Sequence, residues 1–347
     1  MIYWFVILVV VIVGIGLYVW LFYPQQQIEP NTIKHVWVST PNEEKYHNDV
    51  LHPCIRRMSD GRYVMVQSPW YWYQDGIENP ILYISDDPMR WDNGIVVADT
   101  PERGYNSDPN VYEEKGRIYV FWREVETPLC EKLGVFGATI GVWTDDEGKT
   151  FSDKQVYLTS SNMTIDTEIC PILMKKGDTY RFYTSWYMID RSNRHNLGIA
   201  IWEGTSIEKP DFHLVKTVPF KTKYICDKYK QLKVFGHIYF IPLPHKFDLW
   251  HFDLFEKEGK LYMVASEEMK DVVMLAESND WEHFCLIRKP LVNAHFMENY
   301  VGYRQQYYKP TVVWESDKNS LQLYFTTHSQ TELFNNVLFN ADISGSR

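Results

Sequence analysis

Five residues, four of them ionisable and one a thiol nearly so, each open a repeated phrase in this 347-residue chain: His52, Asp108, Cys170, His251 and Lys309. All but His251 stand directly before a proline. Each phrase is an apolar run that breaks at a turn and returns as a Tyr-containing run, as in Asn110-Val111-Tyr112 followed by Gly116-Arg117-Ile118-Tyr119-Val120-Phe121. Period-2 runs on both sides of a Gly or Asn turn are the signature of a β-hairpin. In a hairpin the start of the first strand lies beside the end of the second. The residues after each Tyr run are therefore expected beside the opening residues: Gln67, Ser68, Trp70 and Tyr71, then Trp122, Arg123 and Glu124, then Ser185, Trp186 and Tyr187, then Glu267, Glu268 and His328. A mouth ringed by carboxylates, imidazoles, an Arg and aromatic rings suits a sugar, whose hydroxyls take paired hydrogen bonds while its C–H face stacks on rings. Trp70, Tyr71, Trp122, Arg123, Trp186, His251 and Lys309 are the expected substrate contacts.

The elements that would hold such a ring follow from the repeat. The turns fall at Gly61, Gly116, Gly177, Gly259 and Asn319, at spacings of about 55 to 80 residues, the self-similarity of a propeller. Further apolar runs lie between the hairpins, at Ile81–Ser85, Thr139–Trp143, Leu197–Ile201, Val272–Ala276 and Asn336–Phe339, and supply outer strands. The fold class expected is all-β, a five-bladed β-propeller with a single N-terminal transmembrane helix. An open first or last blade would leave an unpaired edge, and the segment Lys34–Ser39 is expected to pair with the last blade and close the ring. No 3.6-period stripe of ten residues survives after the N-terminal segment, so long helices are not expected.

That N-terminal segment carries no charge from Ile2 to Tyr23, and about 22 residues at about 1.5 Å each cover a bilayer's hydrocarbon core. It lacks the charged start and small-residue cleavage site of a signal peptide. The chain therefore divides into an anchor at 1–23, a polar stalk at 24–33 and a propeller at 34–347. A large domain behind one N-terminal anchor is expected outside the cytoplasm. A net charge of -10 without a basic block excludes nucleic acid as a partner, leaving the membrane and an oligo- or polysaccharide. Five cysteines follow no metal-ligand spacing and are expected mainly as core residues. Asn162-Met163-Thr164 fits a glycosylation sequon.

Two turns carry a resemblance. Ser85-Asp86-Asp87-Pro88-Met89-Arg90-Trp91 and Glu277-Ser278-Asn279-Asp280-Trp281 resemble the Ser-x-Asp-Leu-x-x-Trp turn of five-bladed propeller glycosidases such as glycoside hydrolase family 43. Thr144-Asp145-Asp146-Glu147-Gly148-Lys149-Thr150-Phe151 resembles the sialidase Asp-box. In family 43-like propellers the first three inner strands deliver an Asp general base, an Asp that tunes the acid, and a Glu general acid. The resemblance implies the tuning role for Asp108 in Ser107-Asp108-Pro109-Asn110 and the acid role for Glu168 in Thr167-Glu168-Ile169-Cys170-Pro171. Two departures stand out: His52-Pro53 replaces the family's Asp-Pro, and Glu168 lies three residues ahead of its proline where the family has two. Asp49 or His52 would then serve as base, His52 because imidazole titrates near neutral pH. The activity implied is inverting glycoside hydrolysis by two carboxyl groups. A non-catalytic glycan-binding propeller and a protein-interaction platform are the other readings. No cofactor and no metal is expected from the sequence; the resemblance admits a divalent ion in the channel, which no residue pattern here indicates.

Overall fold

The computed structural model describes residues 2–22, 32–159, 165–190, 193–220, 223–234, 237–247, 249–267, 272–286, 290–293, 305–329 and 336–343. The sequon at Asn162 and most of the stalk lie outside them. The described chain from residue 32 onward is a five-bladed β-propeller. Its sheets join Cys54–Arg57, Tyr63–Gln67, Ile81–Ser85 and Ile95–Val96 (blade 1); Tyr105–Glu114, Arg117–Val125, Gly137–Thr144 and Gln155–Thr159 (blade 2); and Ile165–Lys176, Thr179–Asp190, Asn193–Gly204 and His213–Val218 (blade 3). Blade 4 holds Leu249–Lys257, Lys260–Glu267, Val272–Ser278 and Cys285–Leu286; blade 5 holds Gln305–Glu315, Ser320–Ser329 and Asn336–Asp342, completed by Lys34–His35. A separate hairpin, Lys223–Val234 with His237–Lys246, sits in sequence between blades 3 and 4 and extends the pattern read from the repeat.

The expected closure is present. Lys34 pairs with Asn340 and His35 with Phe339, antiparallel, and Val36 N donates to Leu338 O at 2.9 Å. The first strand of every blade touches its neighbours in ring order, so these five strands surround one axis. Hairpin turns sit where the backbone must be left-handed, as at Gly116 (φ 84°) and Asn319 (φ 48°).

Packing explains why the strands read as nearly unbroken apolar runs. Each blade is buried on both faces, and each of the five hydrophobic clusters fills one blade-to-blade seam. On Tyr63–Gln67, Tyr63 and Met65 pack toward blade 5 while Val64 and Val66 pack toward blade 2, the alternation a pleated strand imposes. Cys54, Cys130 and Cys170 are buried free thiols, as expected of core residues, whereas Cys285 is exposed.

The outer turns are local devices. Asp146 accepts from Thr144 Oγ1 (2.7 Å), Thr150 N (2.9 Å) and Thr150 Oγ1 (2.7 Å), and Phe151 packs against the seam between blades 1 and 2. Asp280 accepts from the backbone of Glu282 and His283 at 2.9 and 2.8 Å, with Trp281 buried beside it.

Residues Ile2–Phe22 form one helix, α1. Its side chains are described from Tyr3 to Gly16 and are exposed throughout. Among the described residues no helix is long and apolar enough to cross a membrane.

Candidate active site

The residues that open the hairpins do converge, because the inner strands break register where they stand. The ladder slips between Ser107 and Asn110 in blade 2, Ile169 and Ile172 in blade 3, Leu249 and His251 in blade 4, and Tyr307 and Pro310 in blade 5. A proline has no N–H for the ladder, and a bulge re-aims the side chain beside it. Asp108 and Cys170, each just before a proline, take left-handed φ values of 51° and 57°. Such backbone is costly for a non-glycine residue and persists only where the surroundings enforce it.

The convergence centres on Asp108, which is 2% exposed. Its Oδ1 lies 2.8 Å from His251 Nε2 and 3.6 Å from His52 Nε2, while Oδ2 faces Arg123 Nε at 3.5 Å. Blades 1, 2 and 4 thus meet at one carboxylate. Blade 5 adds Lys309, whose Nζ donates to Pro109 O at 2.7 Å. His52 Nδ1 lies 2.9 Å from Ser68 Oγ and 3.1 Å from Glu78 Oε1, and Ser107 Oγ donates to the same Glu78 oxygen at 2.8 Å. All of these groups except Ser107 and Arg123 are less than 5% exposed, and those two are 6% exposed.

Burial pushes the His52 imidazole well below its ordinary pKa and lowers His251 as well, despite the attraction of Asp108. Burial would raise Asp108, but His251, Arg123 and His52 more than offset it and hold the carboxyl well below the usual range. The guanidinium of Arg123 is a permanent cation, so an ionised Asp108 between neutral imidazoles is the consistent state. Glu78 goes the other way: burial, reinforced by Asp108, raises it well above the ordinary range against the opposing Ser107 hydrogen bond. Cys170 is pushed up to about 12 by burial and donates to Phe252 O at 3.0 Å, so it is no nucleophile.

Aromatic rings form one wall. The Tyr308 ring lies 4.6 Å from that of His251 and 5.1 Å from that of His52, and Trp70 stacks on Tyr308 at 6.5 Å. Trp70 is half-buried, its backbone N donating to Asp49 Oδ1 (2.7 Å) and its ring N–H to Asp75 (2.8 Å).

Several expected residues occupy other places. Asp49 is fully buried with its carboxylate engaged by the Trp70 backbone, which makes it a brace for that loop. Tyr71 packs on His47 at 3.9 Å. Trp122 is wholly buried in the seam between blades 1 and 2 and has no face to offer a sugar, which corrects the expectation that it binds substrate. Trp186 is half-buried against the seam between blades 2 and 3. Glu168 lies on the inner strand of blade 3, where the register is also irregular between Asp166 and Ile169; its side chain is outside the described part of the structure.

Glu78, Tyr308 and Ser107 were not among the residues singled out by sequence. Glu78 sits in a loop ahead of an outer strand, pinned by the buried Asn79, which accepts from Thr100 N (2.6 Å) and donates to Tyr46 Oη (2.9 Å). Its one signal was the Asn79-Pro80 pair, a dipeptide typical of turns.

Two imidazoles and a carboxylate so placed are also a metal-donor set. One donor atom from each of His52, Asp108 and His251 falls within 4.8 Å of the others.

No protein-family model matches the chain, and no curated protein matches it in sequence. Solved structures do. An N-acetylgalactosamine deacetylase from F. plautii, solved with blood group B trisaccharide, superposes with a TM-score of 0.62 at 12% identity over 90% of this chain and 93% of its own. The fold is that of the five-bladed glycoside hydrolase propellers. A xylan β-1,4-xylosidase from Bacillus halodurans C-125 matches at TM-score 0.57 and 15% identity, over 85% of this chain, which spans 52% of that longer protein. A family 117 glycoside hydrolase from Zobellia galactanivorans matches at TM-score 0.54 and 11% identity, over 90% of both chains. The expected resemblance to glycosidase propellers therefore holds at the level of fold.

Proposed function

We propose that this chain is a membrane-tethered hydrolase acting on an oligo- or polysaccharide at the channel mouth. The observation that carries it is the buried ring of His52, Glu78, Asp108, Arg123 and His251 at one end of the propeller axis. Burying so many polar groups costs free energy that a purely structural channel could avoid, and the fold is shared with sugar-processing propellers. In this reading water adds to the anomeric carbon, the glycosidic bond breaks, Glu168 gives its proton to the leaving oxygen, and the base takes one from water, with inversion. Asp108, ionised, tunes the acid. His52, backed by Glu78, is the base, because Asp49 is occupied by the Trp70 backbone.

A second reading, removal of an N-acyl group from a sugar, is favoured by one feature: His52 stands where the family resemblance would put the Asp base, 3.6 Å from Asp108. One experiment separates the two. The full chain in detergent is incubated with a panel of N-acetylated and neutral polysaccharides, and new reducing ends and free acetate are both measured. Reducing ends of inverted configuration, lost about 10²–10⁴-fold in Glu168→Gln, support the glycosidase; acetate without reducing ends supports the deacylase. Neither product from any substrate bound on a glycan array leaves a binding propeller.

The tether is α1. It is 21 residues long and free of charge, about 31 Å at helical rise, and we place the propeller on the outer side of the membrane it would cross. Protease protection of the chain in sealed vesicles tests that placement.

A further inference from the structure

We propose that the hairpin Lys223–Val234 with His237–Lys246 is an arm that captures an acidic glycan, one bearing carboxylate or sulfate groups, at the channel mouth. The inference rests on the action proposed for that mouth and names the class of chain that reaches it. The hairpin stands outside the five-blade plan. Its strands pair with each other from Lys223 opposite Lys246 to Val234 opposite His237 and, among the described residues, join no third strand. Ten residues of strand at about 3.3 Å each make an arm about 33 Å long. Its root is fixed beside the site. The strand before it ends at Val218, opposite Ile199, which pairs in turn with Ser185, and Ser185 Oγ donates to Trp250 O at 2.8 Å. The strand after it begins at Leu249, two residues ahead of His251. Phe220 and Phe247, both buried, clasp the two stems with ring centres 6.0 Å apart in the seam between blades 3 and 4.

The composition of the arm is unlike that of the chain as a whole. Its two strands carry five lysines against one aspartate, in a chain of net charge -10. No run of like charge marks it, because Lys228, Lys230 and Lys233 are spaced around Tyr229, and the facing strand carries Tyr239 and Phe240. An acidic sugar offers the matching pair of features, an anionic group for an ammonium and a C–H face for a ring. A chain of negative net charge repels a polyanion at long range, and a cationic arm at the entrance reverses that field locally and raises the rate of encounter. An uncharged glycan has no use for it.

An anionic lipid surface offers the same charge, but the course of the chain puts the tether elsewhere. Lys34 pairs with Asn340, four residues toward the turn end from Asn336, which faces His328 at the mouth. From Lys34 the chain climbs toward the mouth, with Val36 N donating to Leu338 O. What precedes Lys34 therefore arrives from the turn side, away from the root of the arm.

The test uses the full chain in detergent and three probes: polygalacturonate for carboxylate, dextran sulfate for sulfate, and dextran as the uncharged chain. Calorimetry should show at least one acidic probe bound more tightly than dextran, with an affinity that falls as salt is added. The triple variant Lys228→Gln, Lys230→Gln, Lys233→Gln should bind that probe about 10-fold more weakly, with unchanged circular dichroism. Lys115→Gln, Lys132→Gln, Lys149→Gln removes the same charge from exposed positions on other loops and should bind as the parent does. Should the arm variant misfold, lysine acetylation of the unaltered chain with and without probe, mapped by mass spectrometry, carries the same information: Lys228, Lys230 and Lys233 should be protected. Equal losses in the two triple variants, binding of neither acidic probe, or no protection of the three lysines overturns the proposal. Protection of those lysines by phosphatidylglycerol vesicles or single-stranded DNA, but by neither acidic polysaccharide, overturns it too. Failure of the hydrolase reading shows separately, as capture of an acidic probe by a chain that releases neither reducing ends nor acetate from any substrate.

Discussion

The two ends of the channel are built from the same five inner strands and treat buried charge in opposite ways. At the end toward the hairpin turns, Arg56 grips Asp253 with both nitrogens, at 2.7 and 2.6 Å, across from blade 1 to blade 4. Asp253 also accepts from Thr311 Oγ1 (2.6 Å), Val312 N (3.0 Å) and Leu254 N (2.8 Å). Both its oxygens are taken, and the pair ties three blades. At the end where the hairpins open, Asp108 meets two imidazoles, and His52 Nε2, 3.6 Å from it, is buried without a hydrogen-bond partner. The first arrangement meets both oxygens of its carboxylate, and the second leaves a buried imidazole nitrogen without a hydrogen-bond partner.

Both ends depend on the ring being shut, so the largest effect should come from the seam. Deleting residues 34–39 removes the strand that covers blade 5, and the cooperative thermal transition of the propeller is expected to disappear; an unchanged transition would show that the sheets hold without closure. Next in size, Asp253→Ala strands a partly buried guanidinium and the donors of Thr311, Val312 and Leu254, and should cost about 2–4 kcal/mol in urea denaturation. His52→Gln at the opposite end should change stability by less than about 1 kcal/mol while abolishing hydrolysis, since it removes few satisfied bonds. If the two variants proved equally destabilising, the contrast between the ends would be lost. The double exchange Arg56→Met with Asp253→Leu sharpens it: removing both charges together should recover most of the single variant's loss. The smallest effect belongs to the outer turn. Three hydrogen bonds hold Asp146 down to about 2, below its unfolded value of about 4. Its contribution is therefore present at neutral pH and lost as pH falls from about 4 to about 2. Asp146→Asn should be slightly less stable than the parent at pH 7, and the two should melt alike near pH 2.

Much of the fold was legible because it is written in period two. Tyr63, Met65 and their neighbours Val64 and Val66 are apolar on alternate faces since both faces meet another blade, and five such hairpins with one spare strand at the start allow few arrangements. The site was legible only in part. Asp108, His251 and His52 could be grouped by their places at the hairpin openings. Parity defeated the expectation for Trp122: it and Arg123 are consecutive on one strand, so one enters the seam while the other reaches Asp108. Glu78 was hidden for a different reason. It comes from an irregular loop with no repeat to index it, and its nearness to His52 exists only once blades and loops are folded.

The pairing of Lys34–His35 with Asn336–Asp342 also imposes an order on assembly. The strand synthesised first must stay uncommitted until its partner, roughly three hundred residues later, has left the ribosome. Through all of that time blade 1 lacks a neighbour on one side, so the growing chain exposes an apolar face that only the last blade covers. Lys34–His35 zips the torus shut when the last blade arrives.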